Sequence, residues 1–334
     1  MEEEDPDFLV ASNCDRLTLP YLQTRAKTLG LDVQLGREKV KPESLKRFLP
    51  YWVRGRVAVD RKCYSFPEGG LGLAGLVERS RFAFLPPGLA ARWTANRVND
   101  SRICYELLQR GYVIPKNTGY QEYVRPMKDV FERDRGGMII PPKAGEVHEN
   151  VAELDYESEY PNIIVKEHIS FENMTPNGLE RREDAILPLV TRKFLERRLY
   201  FKRLRKNLPK ESREWMWCEQ RQNALKTILV CIYGTSGCCW NRFGNVLAFE
   251  EINRRSRQTL NITKDYVQSR GFKLIYADTD SVFVKKDGAT REEYERLAEQ
   301  LSNLTGLPVS LDHHYKFLTL LPLEADANMK AQKL

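Results

Sequence analysis

The chain has 334 residues, enough for two or more hydrophobic cores, and its 42% hydrophobic and 30% charged residues are ordinary for a soluble globular protein. A net charge of +7 favours a polyanionic partner without identifying one, and no stretch is long and apolar enough to span a membrane. The seven cysteines, at 14, 63, 104, 218, 231, 238 and 239, have no paired metal-ligand spacing. Adjacent Cys238 and Cys239 would make a strained bridge, so reduced thiols in an intracellular protein are expected, and the acidic start MEEEDPD is not a signal peptide.

In chain order, PDFLVASNCDRLTLPYLQTRAKTLGLDV reads as a strand followed by an amphipathic helix from about Leu19 to Leu29. A strand, GRVAVD, then leads into PEGGLGLAGLVERS, whose glycines and weak periodicity predict a surface loop with a short helix. One helix is predicted from about Leu89 to Gly111. AELDY reads as a buried strand ending in Asp155, followed by a turn through Ser158, Tyr160 and Pro161. From Ala185 to Arg221 lies the most basic part, with Arg192, Lys193, Arg197, Arg198, Lys202, Arg203 and Arg205 around an apolar stripe, broken at NLPKES into a helical hairpin. The second helix carries Lys226 and ends at Tyr233-Gly234. Further helices are predicted from about Glu250 to Ser269 and from Thr290 to Gly306, and VSLDHHYKFLTLLPLEAD reads as strands.

The chemistry concentrates in FKLIYADTDSVFVKK, Phe272 to Lys286, two short strands about an acidic turn. Asp278 and Asp280 can project on the same side of such a hairpin. Two carboxylates a few Å apart repel or take up a proton unless a cation neutralises them, which makes a divalent metal the natural third party. A plain hairpin turn explains a D-x-D equally well, and strand-terminal Asp155, helical Lys226 and helix-ending Gly234 are each individually ordinary. Their combination is far more specific.

In this order the segments resemble the motifs of family B DNA polymerases of the archaeal type: D-x-x-S-L-Y-P, K-x(3)-N-S-x-Y-G and Y-G-D-T-D-S. Here they stand as D-Y-E-S-E-Y-P, K-T-I-L-V-C-I-Y-G and Y-A-D-T-D-S, with Glu159 for Leu, Val230-Cys231 for Asn-Ser and Ala277 for Gly. The resemblance implies an α+β fold: a polymerase palm with helical fingers, preceded by a partial RNase H-like exonuclease remnant. The implied division is 1–110 for the degenerate exonuclease-like part, 111–146 for a connector, 147–184 for the first part of the palm, 185–236 for the fingers and 237–334 for the rest of the palm. The thumb is expected to be absent.

The resemblance also implies roles. Asp155, Asp278 and Asp280 would be catalytic carboxylates, with Asp155, Asp280 and the carbonyl of Tyr156 holding two Mg²⁺, for which Mn²⁺ is an alternative. Arg198 and Lys202 match the family's R-x(3)-K and, with Lys226, would clamp the triphosphate, while Tyr233 and Gly234 would lie against the nascent base pair. Tyr160 resembles the gate that excludes a ribose 2′-hydroxyl. Asp134-Arg135-Gly136-Gly137 stands for Y-x-G-G, so Arg133, Arg135, Gly136 and Gly137 become candidates for DNA contact. The exonuclease stretch N-x(3)-F-D-x-P-Y-L reads Asn13, Leu17, Thr18, Pro20, Tyr21 and Leu22, and N-R-V-N-D at 96–100 keeps only Asp100, so proofreading is not expected and residues 1 to about 110 are assigned to packing against the palm.

The partners implied are primer-template DNA, a deoxynucleoside triphosphate and other polymerase subunits supplying a thumb and N-terminal parts. No membrane is involved, and the place implied is the cytoplasm at the nucleoid. Two alternatives stay open: an inactive or weak paralogue serving as a DNA-binding or assembly factor, and one piece of a split polymerase.

Overall fold

The computed structural model, which describes residues 3–38, 53–61, 71–116, 122, 124–323 and 326–331, follows the change of period along the sequence. Its first elements are β1 (Phe8–Ala11), α1 (Leu19–Thr28), β2 (Val57–Asp60), α2 (Gly72–Ala83), α3 (Pro87–Arg92), α4 (Ala95–Gln109) and α5 (Met127–Arg133). Then come β3 (Ile139–Ile140), β4 (Val147–Tyr156), α6 (Glu159–Glu167), β5 (Met174–Thr175), β6 (Gly178–Leu179), α7 (Ile186–Lys206) and α8 (Arg213–Gly234). The last are α9 (Val246–Ser269), β7 (Lys273–Asp278), β8 (Ser281–Lys285), α10 (Arg291–Thr305), β9 (Val309–Thr319), β10 (Pro322–Leu323) and β11 (Asp326–Ala331). Residues 1–117 and 190–235 form one unit, and 118–189 with 236–334 form a second. Among the described residues no helix is long and apolar enough to cross a membrane, and Cys14, Cys104, Cys218, Cys231, Cys238 and Cys239 are free thiols.

In the first unit β1 and β2 pair in parallel, Phe8 opposite Val57 and Ala11 opposite Asp60. The stretch expected to be a loop with a short helix is instead, from Gly72 on, a twelve-residue helix with Gly75, Leu76 and Glu78 buried; residues 67–70 lie outside the described residues. Tertiary packing overrides the poor helix propensity of glycine here. A Cβ on Gly75 would lie 2.8 Å from the carbonyl oxygen of Gln220 and 3.2 Å from Cβ of Ala224, so glycine is what lets α2 lie against α8. The single helix expected over 89–111 is two, because Trp93 is extended (ψ 145°) and the Thr94 hydroxyl caps α4 by accepting from the N–H of Arg97. Within its own unit this N-terminal part packs on α7 and α8. Lys193 reaches Glu106 at 2.8 Å, and Asn99 Nδ2 donates to the carbonyl of Ile228 at 3.2 Å.

The second unit is built on an antiparallel sheet in the order β3-β7-β8-β4-β9. Ala152, Leu154, Ala277, Val282 and Val284 pack into a core with Leu260 and Val267 of α9 and Tyr294, Leu297 and Leu301 of α10. Strict alternation then sends Val151, Glu153, Asp155, Ser281 and Phe283 to the opposite face. The register of β7 shifts between Leu274 and Tyr276, a bulge that turns Tyr276 and Asp278 to that same face. α10 carries a capping box of Thr290 and Glu293 and stops at Gly306 with φ +66°, as its sequence signals require. α9 starts ahead of the expected Glu250, because the Asn245 side chain accepts from the N–H groups of Leu247 and Ala248.

The tight approach of α2 to α8 reverses the usual effect of a helical Gly→Ala change. Gly75→Ala should destabilise the protein by about 1–3 kcal/mol, where an open helical site would gain about 1 kcal/mol. Urea denaturation measures the difference, and a stabilised Gly75→Ala protein would show that this contact is loose.

Candidate active site

The register of three neighbouring strands assembles an acidic row. Asp278 stands opposite Ser281 on β8, Ser281 opposite Asp155 on β4, and Asp155 opposite Ser310 on β9. Asp278 and Asp155 thus sit on one face, two strand spacings or about 10 Å apart, with only a serine between them. Asp280 lies in the two-residue turn joining β7 to β8, and its carbonyl accepts the N–H of Tyr156 at 2.8 Å. Tyr276 Oη and Thr279 Oγ1 donate to the two oxygens of Asp278, at 3.0 and 3.1 Å. The Tyr156 ring is buried, its hydroxyl paired with that of Thr263 on α9, and burial pushes it up to about 12.

Thr279 has a left-handed backbone, φ +54°, and its N–H donates to the carbonyl of Met138 at 3.0 Å. This ties the acidic turn to the R-G-G segment. A Cβ on Gly137 would lie 2.7 Å from Thr279 Oγ1 and 3.1 Å from Tyr160 Oη, so the close approach made by this glycine is to those two side chains. Gly136 has φ +62°, and its carbonyl accepts from Arg257 Nη1 at 2.6 Å. Arg133 and Arg135 are exposed; Arg135 Nε donates to the carbonyl of Phe131, while Arg133 lines a cleft of about 510 Å³ with Arg254, Arg255 and Arg257.

Glu159 is the site residue whose role the sequence reading missed, although its departure from the leucine of the motif was the available signal. Ser158, at φ +54°, turns the chain out of β4 so that Glu159 opens α6 with its side chain only 2% exposed. Glu159 Oε2 accepts from Ser256 Oγ on α9 at 3.0 Å, and Oε1 is buried with no hydrogen-bond partner. Burial first, then the charges of Asp280 and Asp155, push its carboxyl up to about 8, against the opposing effect of the Ser256 hydrogen bond. Asp155, Asp278 and Asp280 are oxygen donors, the kind a hard divalent cation such as Mg²⁺ takes.

The remaining candidates belong to the first unit. Arg198 and Lys202 are one turn apart on α7, the former buried and the latter half-buried. Lys226, Val230 and Gly234 form an exposed stripe on α8, with Tyr233 half-buried beside it. Part of the basic hairpin is turned inward. Arg197 bonds the 1%-exposed Glu78 of α2 at 2.5 Å, Arg221 approaches the same carboxylate at 3.8 Å, and Arg205 pairs with Glu219. Glu78 and Glu106, acidic residues on apolar helical faces, are the partners that sequence reading missed. In the exonuclease-like stretch, Thr18 Oγ1 donates to the carbonyl of Ser12, and Asp100 accepts weakly from Cys104.

Among the described residues, the group whose ligand atoms lie within 4.8 Å of one another is Glu153, Asp312 and His313, not the carboxylates of the row. The register between β4 and β9 shifts next to Glu153, and the hydroxyl of Tyr315 donates to Glu153 at 2.7 Å. Burial and the Glu153 carboxylate push Tyr315 up to about 12.

An acidic row on an antiparallel sheet, with a basic helical hairpin inserted between its strands, characterises a class of nucleotide-polymerising enzymes. The sequence profile of DNA polymerase family B matches residues 92–183 and 179–321, and the protein belongs to that family. DNA polymerase 2 of Aeropyrum pernix is 26% identical over 387 residues, covering 93% of this chain and 46% of that protein. DNA polymerase 2 of Saccharolobus solfataricus is 27% identical over 241 residues, covering 70% and 36%. The structure of the family B DNA polymerase from the hyperthermophilic archaeon Pyrobaculum calidifontis superposes with a TM-score of 0.65 at 22% identity, over 99% of this chain and 52% of that one, which establishes the shared fold. The protein therefore spans about half the length of these relatives, or less.

The elevated Glu159 carboxyl makes stability depend on pH. Its folded value of about 8 exceeds the ordinary 4.5, so the folded protein binds the extra proton between those values. This contribution is fully present below about pH 4.5 and is lost as pH rises through about 8, with a magnitude on the order of a few kcal/mol. Without divalent cations the urea midpoint should fall between pH 5 and 8.5, and Glu159→Gln should flatten that fall. An unchanged slope in the variant would assign it to other groups.

Proposed function

We propose that this protein holds the nucleotidyl-transfer site of a template-directed DNA polymerase. The observation that supports this reading best is the transverse row of Asp278, Ser281 and Asp155, with Asp280 in the adjoining turn, at positions matching the family's motifs. Asp155, Asp278, Asp280 and the Tyr156 carbonyl would hold divalent cations, Mg²⁺ or alternatively Mn²⁺, which when bound lower the pKa of the primer 3′-hydroxyl and stabilise the leaving pyrophosphate.

The protein's own residues do the positioning. The 3′-oxygen of the primer forms a bond to the α-phosphorus of a deoxynucleoside triphosphate, the bond to the bridging oxygen breaks, and the hydroxyl proton passes to solvent. Asp155 and Asp280 orient the two reacting groups, while Tyr276 and Thr279 fix Asp278. Tyr160, held against Gly137, is assigned to exclusion of a ribose 2′-hydroxyl. Arg198, Lys202 and Lys226 are assigned to the triphosphate, and Tyr233 and Gly234 to the nascent base pair, by the motifs they match. Arg133, Arg135, Gly136 and Gly137 are assigned to the template strand, with Arg257 bracing the glycine segment through its bond to Gly136. Charge neutralisation of this kind is the main source of catalysis in phosphoryl transfer.

Primer extension by the purified protein, alone and with candidate partner subunits, tests this reading. Asp280→Ala should lower nucleotide addition more than a hundredfold with an unchanged circular dichroism spectrum, since loss of a metal carboxylate removes several kcal/mol of transition-state stabilisation. Extension within threefold of the parent would overturn the assignment. In the same assay Tyr160→Ala should raise ribonucleotide incorporation relative to deoxyribonucleotide; unaltered selectivity would reduce Tyr160 to a packing residue against Gly137.

A further inference from the structure

α4 carries two asparagines, Asn96 and Asn99, residues that a helix does little to favour because their amides ordinarily turn back on the nearby backbone. Here both reach out to α8 instead. Three apart, they share one face of α4 and meet the last turns of the facing helix. Asn99 is 3% exposed, and its Nδ2 donates to the carbonyl of Ile228 at 3.2 Å, while its Oδ1 is buried with no hydrogen-bond partner among the described residues. A leucine would fill that place without the cost of a half-satisfied amide, so the bond to α8 is the gain that the asparagine brings.

Two turns farther along α8, Thr235 Oγ1 donates to the carbonyl of Cys231 at 2.7 Å and approaches Oδ1 of Asn96 at 2.9 Å. Ile228, Cys231 and Thr235 stand at helical spacing on one face of α8, and Tyr233 and Gly234 lie within the span that they bracket. The end of α8 is thus held from α4. We infer that Asn96 and Asn99 are positioning residues, which fix the last turns of α8 and through them the placement of Tyr233 and Gly234 against the nascent base pair. This inference rests on the reading of Tyr233 and Gly234 as residues that face that base pair. A surface that selects a nucleotide by shape must be rigid, because a shift of about 1 Å removes much of the advantage of the matched partner.

The test is single-nucleotide primer extension by the full protein, with a matched and with a mismatched deoxynucleoside triphosphate. Asn96→Ala, Asn99→Ala and Thr235→Val should each raise KM for the matched nucleotide at least fivefold, and each should lower the matched-to-mismatched ratio of kcat/KM at least fivefold. Thr235→Ser, which keeps the hydroxyl, should stay within twofold of the parent in both. A variant that merely folds less well lowers the amount of active protein and hence kcat, but it leaves KM and that ratio unmoved. Asn96 is only half-buried, so its variant decides the matter where Asn99→Ala does not fold. Folded asparagine variants within twofold of the parent in KM and in the ratio would overturn the inference and leave Thr235 a cap internal to α8; the nucleotidyl-transfer reading would stand. A parent that extends no primer, alone or with candidate partner subunits, would overturn that reading and this inference with it.

Discussion

The antiparallel register of β7, β8 and β4 is the constraint on which the second unit depends. It sets Asp278, Ser281 and Asp155 in one row, and it does so only because β7 bulges at Ile275. Without the extra residue, every side chain beyond the bulge would exchange faces, sending Asp278 into the apolar layer and Ala277 outward. The core beneath then becomes part of the site: Leu154, Val282 and Val284 hold the register by refusing the other face, with Leu260 and Leu297 closing over them. Apolar burial on one face thus places the carboxylates on the other.

Neutral donors orient two of the acidic side chains. Tyr276 and Thr279 engage Asp278, and Ser256 engages Glu159. Neutral hydroxyls orient a carboxylate without cancelling its charge. Cationic side chains brace the surrounding segments: Arg257 holds the Gly136 carbonyl, and Arg255 pairs with Glu167 and Glu251.

Much of this was legible in the sequence, because the signals were local. The D-T-D turn between β-branched runs, the glycine after α10 and the basic hairpin broken at NLPKES each follow from short-range chemistry. The misreadings have a common cause in partners distant along the sequence. Gly75 sits in a helix because Gln220 and Ala224 are there to receive it. The bulge at Ile275 is invisible to a period-two reading, since Leu274, Ile275 and Tyr276 are all plausible inward residues. Glu159 reads as a mere departure from a motif until Ser256, 97 positions later, arrives beside it.

Charge density proved the least reliable guide, for a physical reason. A helix such as α7 shows cationic residues on most of its circumference, but only some of that circumference faces solvent. Glu78 and Glu106, projecting from α2 and α4, take Arg197, Arg221 and Lys193 as internal partners and thereby fix how the hairpin sits on the N-terminal segment. The same segment steadies α8 through neutral contacts, Asn99 to the Ile228 carbonyl and Asn96 to the Thr235 hydroxyl. Those two asparagines lie in the N-R-V-N-D stretch that resembles an exonuclease motif. Side chains of this stretch thus hold the end of the helix that carries Tyr233 and Gly234. Selection for the shape of α8 would act on them with no exonuclease chemistry at all.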